Sequence, residues 1–465
     1  MDHLLHVGLN IGRTIQGTND GRTRNCLKVD ALRPSRFLAR MPSTSAAYRL
    51  CVHLGFAAAR PLGALDQKTR RGVSLRAGAV ARIVTWAAAA RDAARPLAWF
   101  HAPSVGEGLQ AQAVLEVFRR RHPDWQVAYT YFSPSAERFA QGLGADIAEV
   151  LPADRAGDVD AALEALRPRL LVFTKLDLWP ELATRAAAHG VRVALVAGTV
   201  RAGSGRLRWP VRALLAPGYA ALARAGAIAA DDAARLEALG VPRERLTVTG
   251  DPRHDSVQAR VRAVPPDDPL LRFGGAPTLV AGSTWPPDED VLLAAFRAVR
   301  TRHPAARLVL VPHEPNEPAL LRIERQAAAL SLPAPVRLSA AEGPVPLLLV
   351  DRVGVLATLY GAGTCAYVGG GFGRAGLHSV LEPAAWGLPV AFGPRWRESR
   401  DATDLLREKA AVEVQTAADI EQRWTEWIED EAGRLGQGAR ARALVTRGAG
   451  AAERSADLLD ELLRG

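Results

Sequence analysis

From Leu97 onward, short β-rich runs alternate with segments of helical pattern. The runs LAWFH, QVAYTYF, LLVFTK, VRVALVAG, AIAA and LTVTG are separated by stretches such as GLQAQAVLEVFRRR and ELATRAAAHG, and the rhythm restarts at TLVAGS, RLVLVP, PLLLVD, CAYVGG, PVAFG and AVEV. Strands alternating with helices of this length predict parallel sheets with right-handed crossovers. Two such sets predict an α/β chain of two doubly wound parallel-sheet domains, with ligands held in the cleft beyond the carboxyl ends of the strands.

At 465 residues the chain is too long for one ordinary core. Prolines at 252, 265, 266, 269 and 277 place the joint within Asp251 to Pro277. The domains are therefore read as 96–255 and 256–465, and the final stretch Asp419 to Leu463 is long enough to pack back across the joint. Residues 1–40 lack sustained periodicity and read as an unstructured or misassigned extension, with Met41 as a candidate start.

Charge refines this picture by its distribution. Residues 1–100 hold 16 Lys/Arg against 5 Asp/Glu, whereas the rest holds 43 against 44. The basic residues are interleaved with apolar runs instead of forming a polar arm, which argues against nucleic acid. Segment 41–95, including Arg60, Lys68, Arg70, Arg71 and Arg76, is expected to form helices at an anionic membrane surface. No run reaches the roughly 18 apolar residues of a spanning helix. Cys26, Cys51 and Cys365 are few, odd in number and far apart, so no disulfide framework is expected and the surroundings read as reducing. The histidines show no metal-ligand spacing.

Polar residues cluster at strand ends. Ser104-Val-Gly-Glu107 fits a capping box, and equally a general base facing the cleft. Lys175 and Asp177 close another strand, with Asp177 either a helix cap or a site residue. Ser283 and Thr284 follow TLVAG, and His313 follows RLVLVP. The richest stretch is AYVGGGFGRAGLHSVLEPAAWGLPVAFGP, from Ala366 to Pro394. Its glycines, followed by a helix, predict an anion cradle of backbone N–H groups, with Glu382 about two turns into that helix and placed to accept from sugar hydroxyls. A bound nucleotide follows. The spacing Gly371-x-Gly373-x-x-Gly376 fits the dinucleotide fingerprint, but the second strand ends in Gly393-Pro394-Arg395 without the acidic residue that fingerprint needs.

HAPSVGEG, KLDLWPEL, VTGDPRHDSV, AGSTWPPDED, VPHEPNEP, VDRVGVLATLYGAG and the glycine stretch, in this order, resemble the Kdo (3-deoxy-D-manno-octulosonic acid) transferases of lipopolysaccharide synthesis. The resemblance implies a GT-B glycosyltransferase, with 96–255 the acceptor domain and 256–465 the donor domain. It implies inverting transfer of Kdo from CMP-Kdo to the glucosamine disaccharide of a lipid A precursor, at the cytoplasmic face of the inner membrane, by a peripheral or monotopic enzyme with no cofactor. Glu107 would be the general base, with Asp177 beside it. Ser283, Thr284, His313, Gly370, Gly371, Gly373, Gly376, His378 and Glu382 would hold the donor, and Ser104, Lys175 and Arg253 the acceptor or the Kdo carboxylate. The chain departs from the family pattern in carrying Lys175-x-Asp177 for two acids, His313 for an arginine, and Ser379 for an asparagine. The alternative is another GT-B transferase or epimerase that uses a UDP-sugar.

Overall fold

The computed structural model describes residues 43–62 and 67–464; the extension 1–40 lies outside them. β1 (Leu97–His101), β2 (Gln126–Tyr131), β3 (Ile147–Val150), β4 (Leu170–Thr174), β5 (Arg192–Gly198), β6 (Arg224–Ala227) and β7 (Leu246–Val248) form a parallel sheet in the order 3-2-1-4-5-6-7. A second parallel sheet runs 10-11-9-8-12-13-14. Its strands are β8 (Thr278–Thr284), β9 (Arg307–Pro312), β10 (Val336–Arg337), β11 (Leu347–Leu349), β12 (Cys365–Val368), β13 (Val390–Phe392) and β14 (Ala411–Glu413). β1, β2 and β4 are buried at every position, because helices cover both faces of a parallel sheet.

Two strands escape the sequence pattern. β3 lies at a sheet edge with three half-buried residues, so its apolar signal is weak, and β10 is only two residues long. β6 occupies Arg224–Ala227, ahead of the AIAA run, because Ile228 and Ala229 already turn into the helix Ala230–Leu239. The joint is not irregular throughout, since Pro252 starts a helix, Arg253–Ala263. Proline suits a helix start because its missing N–H would have no partner there.

Strand order reverses between β1 and β4 in the first sheet and between β8 and β12 in the second. At such switch points the loops diverge and leave a crevice. The ends there are in register, His101 beside Phe173 and Val368 beside Gly282. Glu107 and Lys175 follow β1 and β4; the glycine run follows β12.

Before β1 come three helices, α1 (Ala46–Leu62), α2 (Gln67–Arg76) and α3 (Ala79–Ala90), of which α3 buries Ala79 and Ile83 against the first sheet. No single described helix is long and apolar enough to cross a membrane; the bent pair Thr69–Arg76 and Ala79–Ala90 meets the length and composition test together. α4 (Val105–Arg121) ends in Arg119, Arg120 and Arg121, favourable at the negative end of the helix dipole. Two of these arginines pair with Glu453, Asp457 and Asp460 on the last helix, Ala451–Arg464. The chain thus leaves the second sheet and ends on the first, where Leu458 and Leu459 join the core.

Candidate active site

Glu107 lies in the first turn of α4, directly beyond β1. Ser104 occupies the cap position, but its hydroxyl caps no backbone N–H and instead donates to Glu107. The other carboxylate oxygen accepts from Lys175 Nζ at 2.7 Å. The capping-box reading is therefore displaced: the glutamate turns to the strand ends, held by a hydroxyl and an ammonium. Lys175 has φ +64°, a left-handed conformation costly for a residue with a side chain. Ser283, the penultimate residue of β8 at the other switch point, has φ +54°. Strain of this kind concentrates where a fold must aim a group at a ligand.

Asp177 is not a helix cap. It accepts from His101 Nε2 at 2.9 Å and from Trp179 Nε1 at 3.1 Å. His101 is fully buried: its Nε2 meets Asp177, and its Nδ1 lies 3.0 Å from both the carbonyl and the hydroxyl oxygen of Thr130, a hydroxyl that also accepts from Trp99 Nε1. Burial would raise the Asp177 pKa, but the His101 and Trp179 donors outweigh it and hold it below the ordinary carboxylate value.

The glycine run differs from expectation in one chemical respect. Asp288, buried in the first turn of the helix Pro286–Arg302, accepts from Gly370 N at 2.9 Å, Trp285 N at 2.9 Å and Tyr367 Oη at 2.8 Å, with Phe372 N at 3.4 Å. Part of the anion cradle is therefore filled by the protein's own carboxylate. A Cβ at Gly371 would lie 2.6 Å from Gly393 N, so only glycine permits this backbone contact. The helix that carries Glu382 begins at Leu381 and has six residues, which puts Glu382 in its first turn and not two turns in. Residues 369–380 form a loop, so no helix starts at Gly376, as the dinucleotide fingerprint would require. The N–H groups of residues 373–377 have no partner among the described residues, and Gly376 turns at φ +81°.

Beside this loop, Trp285, His313 and His378 stack, with ring centroids 4.9 Å apart for Trp285–His313 and 4.3 Å for His313–His378. Trp285 Nε1 donates to His378 Nε2 at 3.0 Å. Burial and the neighbouring His313 push His378 down to about 4, so it is a neutral ring with its proton on Nδ1.

A cleft of about 850 Å³ separates the two sheets. It brings together Ser104, Glu107, Lys175, Arg253, Gly373, Gly376 and His378. Other expected residues stand back from it. Thr284 is buried, with its hydroxyl donating to Glu289 at 3.1 Å, which removes it as a direct ligand in this state. Ser283 and His313 stand behind the loop, Gly370 and Gly371 form its start against Asp288 and Gly393, Asp177 faces His101, and Glu382 pairs with Arg260 at 2.8 Å. Arg253 is gripped by Asp251 at 2.6 Å and Asp401 at 2.9 Å; burial opposes its charge, but these two carboxylates keep it firmly protonated and leave little field for a ligand.

Sequence reasoning passed over Asp288, and with it the basic residues Arg374, Arg395 and Arg397 on the cleft wall, none of which has a carboxylate partner among the described residues. Two prolines followed by an acid read as an ordinary helix start, and nothing local reveals that the acid points back at a glycine loop over 80 residues away. Arg201–Glu398 at 2.6 Å and Arg400–Asp232 at 2.8 Å cross the cleft mouth between the sheets.

Residues 76–256 match the family model described as 3-Deoxy-D-manno-octulosonic-acid transferase (kdotransferase). Similar curated proteins include the 3-deoxy-D-manno-octulosonic acid transferase of Bordetella pertussis, 29% identical over 386 residues, which are 78% of this chain and 87% of that protein. The Haemophilus influenzae transferase of the same name is 26% identical over 387 residues, with the same two shares. Among solved structures, the UDP-GlcNAc 2-epimerase of Neisseria meningitidis bound to UDP-GlcNAc superposes with a TM-score of 0.59 at 13% identity, over 80% of this chain and all of that one, a likeness of fold alone. With two facing parallel sheets in the GT-B arrangement and similarity to these transferases over about three-quarters of its length, the chain is a glycosyltransferase related to the Kdo transferases.

Proposed function

We propose that the protein transfers Kdo from CMP-Kdo to a hydroxyl of the glucosamine disaccharide of a lipid A precursor, with inversion at the anomeric carbon. The observation that carries this reading is the meeting of Glu107 and the open backbone of residues 373–377 across one cleft, each at its sheet's switch point. Glu107 accepts the proton of the attacking hydroxyl, while Ser104 and Lys175 fix the orientation of its carboxylate. The departing CMP phosphate lies against the N–H groups of 373–377, where fixed dipoles stabilise its growing charge. Neutral His378 Nδ1–H adds a donor on the same wall. Arg374 and Arg395, without carboxylate partners, suit the carboxylate of the sugar acid better than Arg253 does. Glu382 reaches the ribose once Arg260 releases it.

We further propose attachment to the cytoplasmic face of the inner membrane, without a cofactor. Leu50 and Leu54 on α1 are about 60% exposed, and Trp209, between Arg208 and Arg212, is 81% exposed. Arg76 does not belong to that surface, because its guanidinium lies 3.7 Å from the Phe132 ring centroid and donates to the Phe132 carbonyl.

Mass spectrometry of a lipid A precursor incubated with CMP-Kdo and the protein tests the reading, since each Kdo appears as one fixed mass step; an unmodified acceptor at every enzyme concentration refutes it. The UDP-sugar reading shares the fold. Competition by UDP equal to that by CMP favours it.

A further inference from the structure

Behind the carboxyl edge of the first sheet lies a second cavity, of about 790 Å³, within the roughly 300–1,000 Å³ typical of small-molecule sites. Its walls come from α1, α2, the start of α3, the loop after β2 and Trp179. They are largely apolar, with Val52, Phe56, Val73, Val80, Phe132 and Trp179 among them. Two short chain segments separate it from the cleft. The Pro103 carbonyl accepts from Ser133 N at 2.7 Å, so Ser133 lines the cavity while Ser104, next to Pro103, lines the cleft. Lys175 likewise faces the cleft, and Trp179, four residues on, faces the cavity.

The outer wall is held in place by buried polar contacts. Tyr48 Oη donates to Asp154 at 2.6 Å, Arg49 Nε to Glu181 at 3.1 Å, and the Thr44 hydroxyl also to Glu181. Asp154 accepts in turn from Glu181 N and Leu182 N, at the start of the helix that follows Trp179. α1 is thus pinned at its first turn, and the space beneath Val52, Phe56 and Ala59 is a standing feature of the fold.

The cavity also carries charge of one predominant sign. Arg76 and Arg155 lie on its wall over Phe132 and Phe56, each has a buried Nε without a hydrogen-bond partner, and neither meets a carboxylate at ion-pair distance among the described residues. Asp158 is the single acidic residue on that wall among the described residues. Apolar walls with two arginines that lack an ion-pair partner, against one carboxylate, fit an anionic amphiphile.

We propose that this cavity takes one acyl chain of the lipid acceptor, with the acceptor's anionic group drawn to Arg76 and Arg155 while its hydroxyl reaches Glu107 on the far side of the Pro103 and Lys175 segments. The assignment rests on the transfer reading for the identity of the acceptor, and adds to it a site for the chain. Acyl length then becomes a determinant of acceptor choice, measured from a fixed point beside the catalytic edge.

The test uses Gly55, an exposed residue that lines the cavity mouth from α1 and whose added Cβ would meet nothing within 4 Å, so Gly55→Trp adds bulk at the mouth without a clash at Cβ. Calorimetric titration with decyl and dodecyl phosphate below their micelle concentrations should give affinity rising about fourfold per methylene, roughly 15-fold between the two. In Gly55→Trp, dodecyl phosphate affinity should fall at least about tenfold, with CMP affinity and melting temperature unchanged. KM for the acylated acceptor should rise while KM for the fully deacylated disaccharide stays the same. Equal affinity for the two alkyl phosphates, an unaffected Gly55→Trp, or an equal KM rise for both acceptors overturns the cavity assignment and leaves transfer standing. Absence of Kdo transfer by the wild type to either acceptor defeats the transfer reading instead, and the chain-length series then reports on the cavity by itself.

Discussion

Replacing Glu107 with glutamine keeps the side chain's shape and removes its ability to take a proton. The structure separates the catalytic consequence from the structural one. Glu107 is partly exposed and its partner Lys175 more so, which limits the ion pair to about 0–1 kcal/mol of stability. Glutamine still accepts from Lys175 through its amide oxygen, so the melting temperature should move by no more than a few degrees. Loss of a general base costs roughly 100- to 10,000-fold in rate, about 3–5 kcal/mol of barrier. That is several times the structural term, so the two readings cannot be confused. Initial rates from the mass-step assay, CMP affinity by calorimetry and a thermal melt should show kcat down at least about 100-fold with the other two held. Turnover within about threefold of wild type would refute the assignment of Glu107 as the base.

Asp288→Asn should weaken CMP binding and lower stability together, by about 1.5–3 kcal/mol, because the N–H groups of the glycine loop lose a charged acceptor; a calorimetric titration beside a melt checks it, and an unchanged affinity removes Asp288 from the support of the site. Glu382→Ala should reduce CMP affinity by about 1–3 kcal/mol, whereas Arg260→Ala, which frees the carboxylate from its 2.8 Å pair, should leave that affinity equal or higher; a loss in both variants would make the pair a structural unit. Burial lifts Asp154 to about 6, so over the window from about pH 4 to 6 the folded state binds more protons than the unfolded one and stability falls as pH rises, by about 3 kcal/mol in all. Asp154→Asn should remove that slope in denaturation curves taken at intervals between pH 4 and 7; a slope unchanged by the substitution would place its origin elsewhere.

Strands buried on both faces announced themselves as unbroken apolar runs, so the two parallel sheets and their alternating helices were readable from LAWFH to AVEV. Two of the four edge strands were not: β3 is half exposed and carries Glu149, a pattern indistinguishable from a loop, and β10 has only two residues. Glu107 and Lys175 were legible because a polar residue after an apolar run marks the carboxyl edge, where a doubly wound sheet binds its ligands. The role of Ser104 was not, since the spacing of a capping box is the same whether the glutamate turns back to the helix or forward to the cleft. For Glu382 the glycine run was read as ending in a helix, but Arg374 to Val380 remain loop, and the helix start moves to Leu381. Asp288 lay beyond local reasoning altogether, because its partners Gly370 and Phe372 are brought to it only by the pairing of β8 with β12.

The last helix joins the two sheets a second time. Asp255, near the start of the first crossing, accepts from Gly450 N at 2.6 Å and Ala452 N at 3.0 Å in the second, and Arg454 donates to the Thr249 carbonyl at 2.8 Å. Two chain passes stapled side by side fasten the halves along one line, so any relative motion is expected to be opening and closing about that line and not twisting. A single proteolytic nick near residue 265 would therefore leave the halves associated through Ala451–Arg464. A fragment ending at Asp251 would lack the helix that covers its own sheet, and a peptide spanning 451–464, supplied separately, is the piece that would complete it.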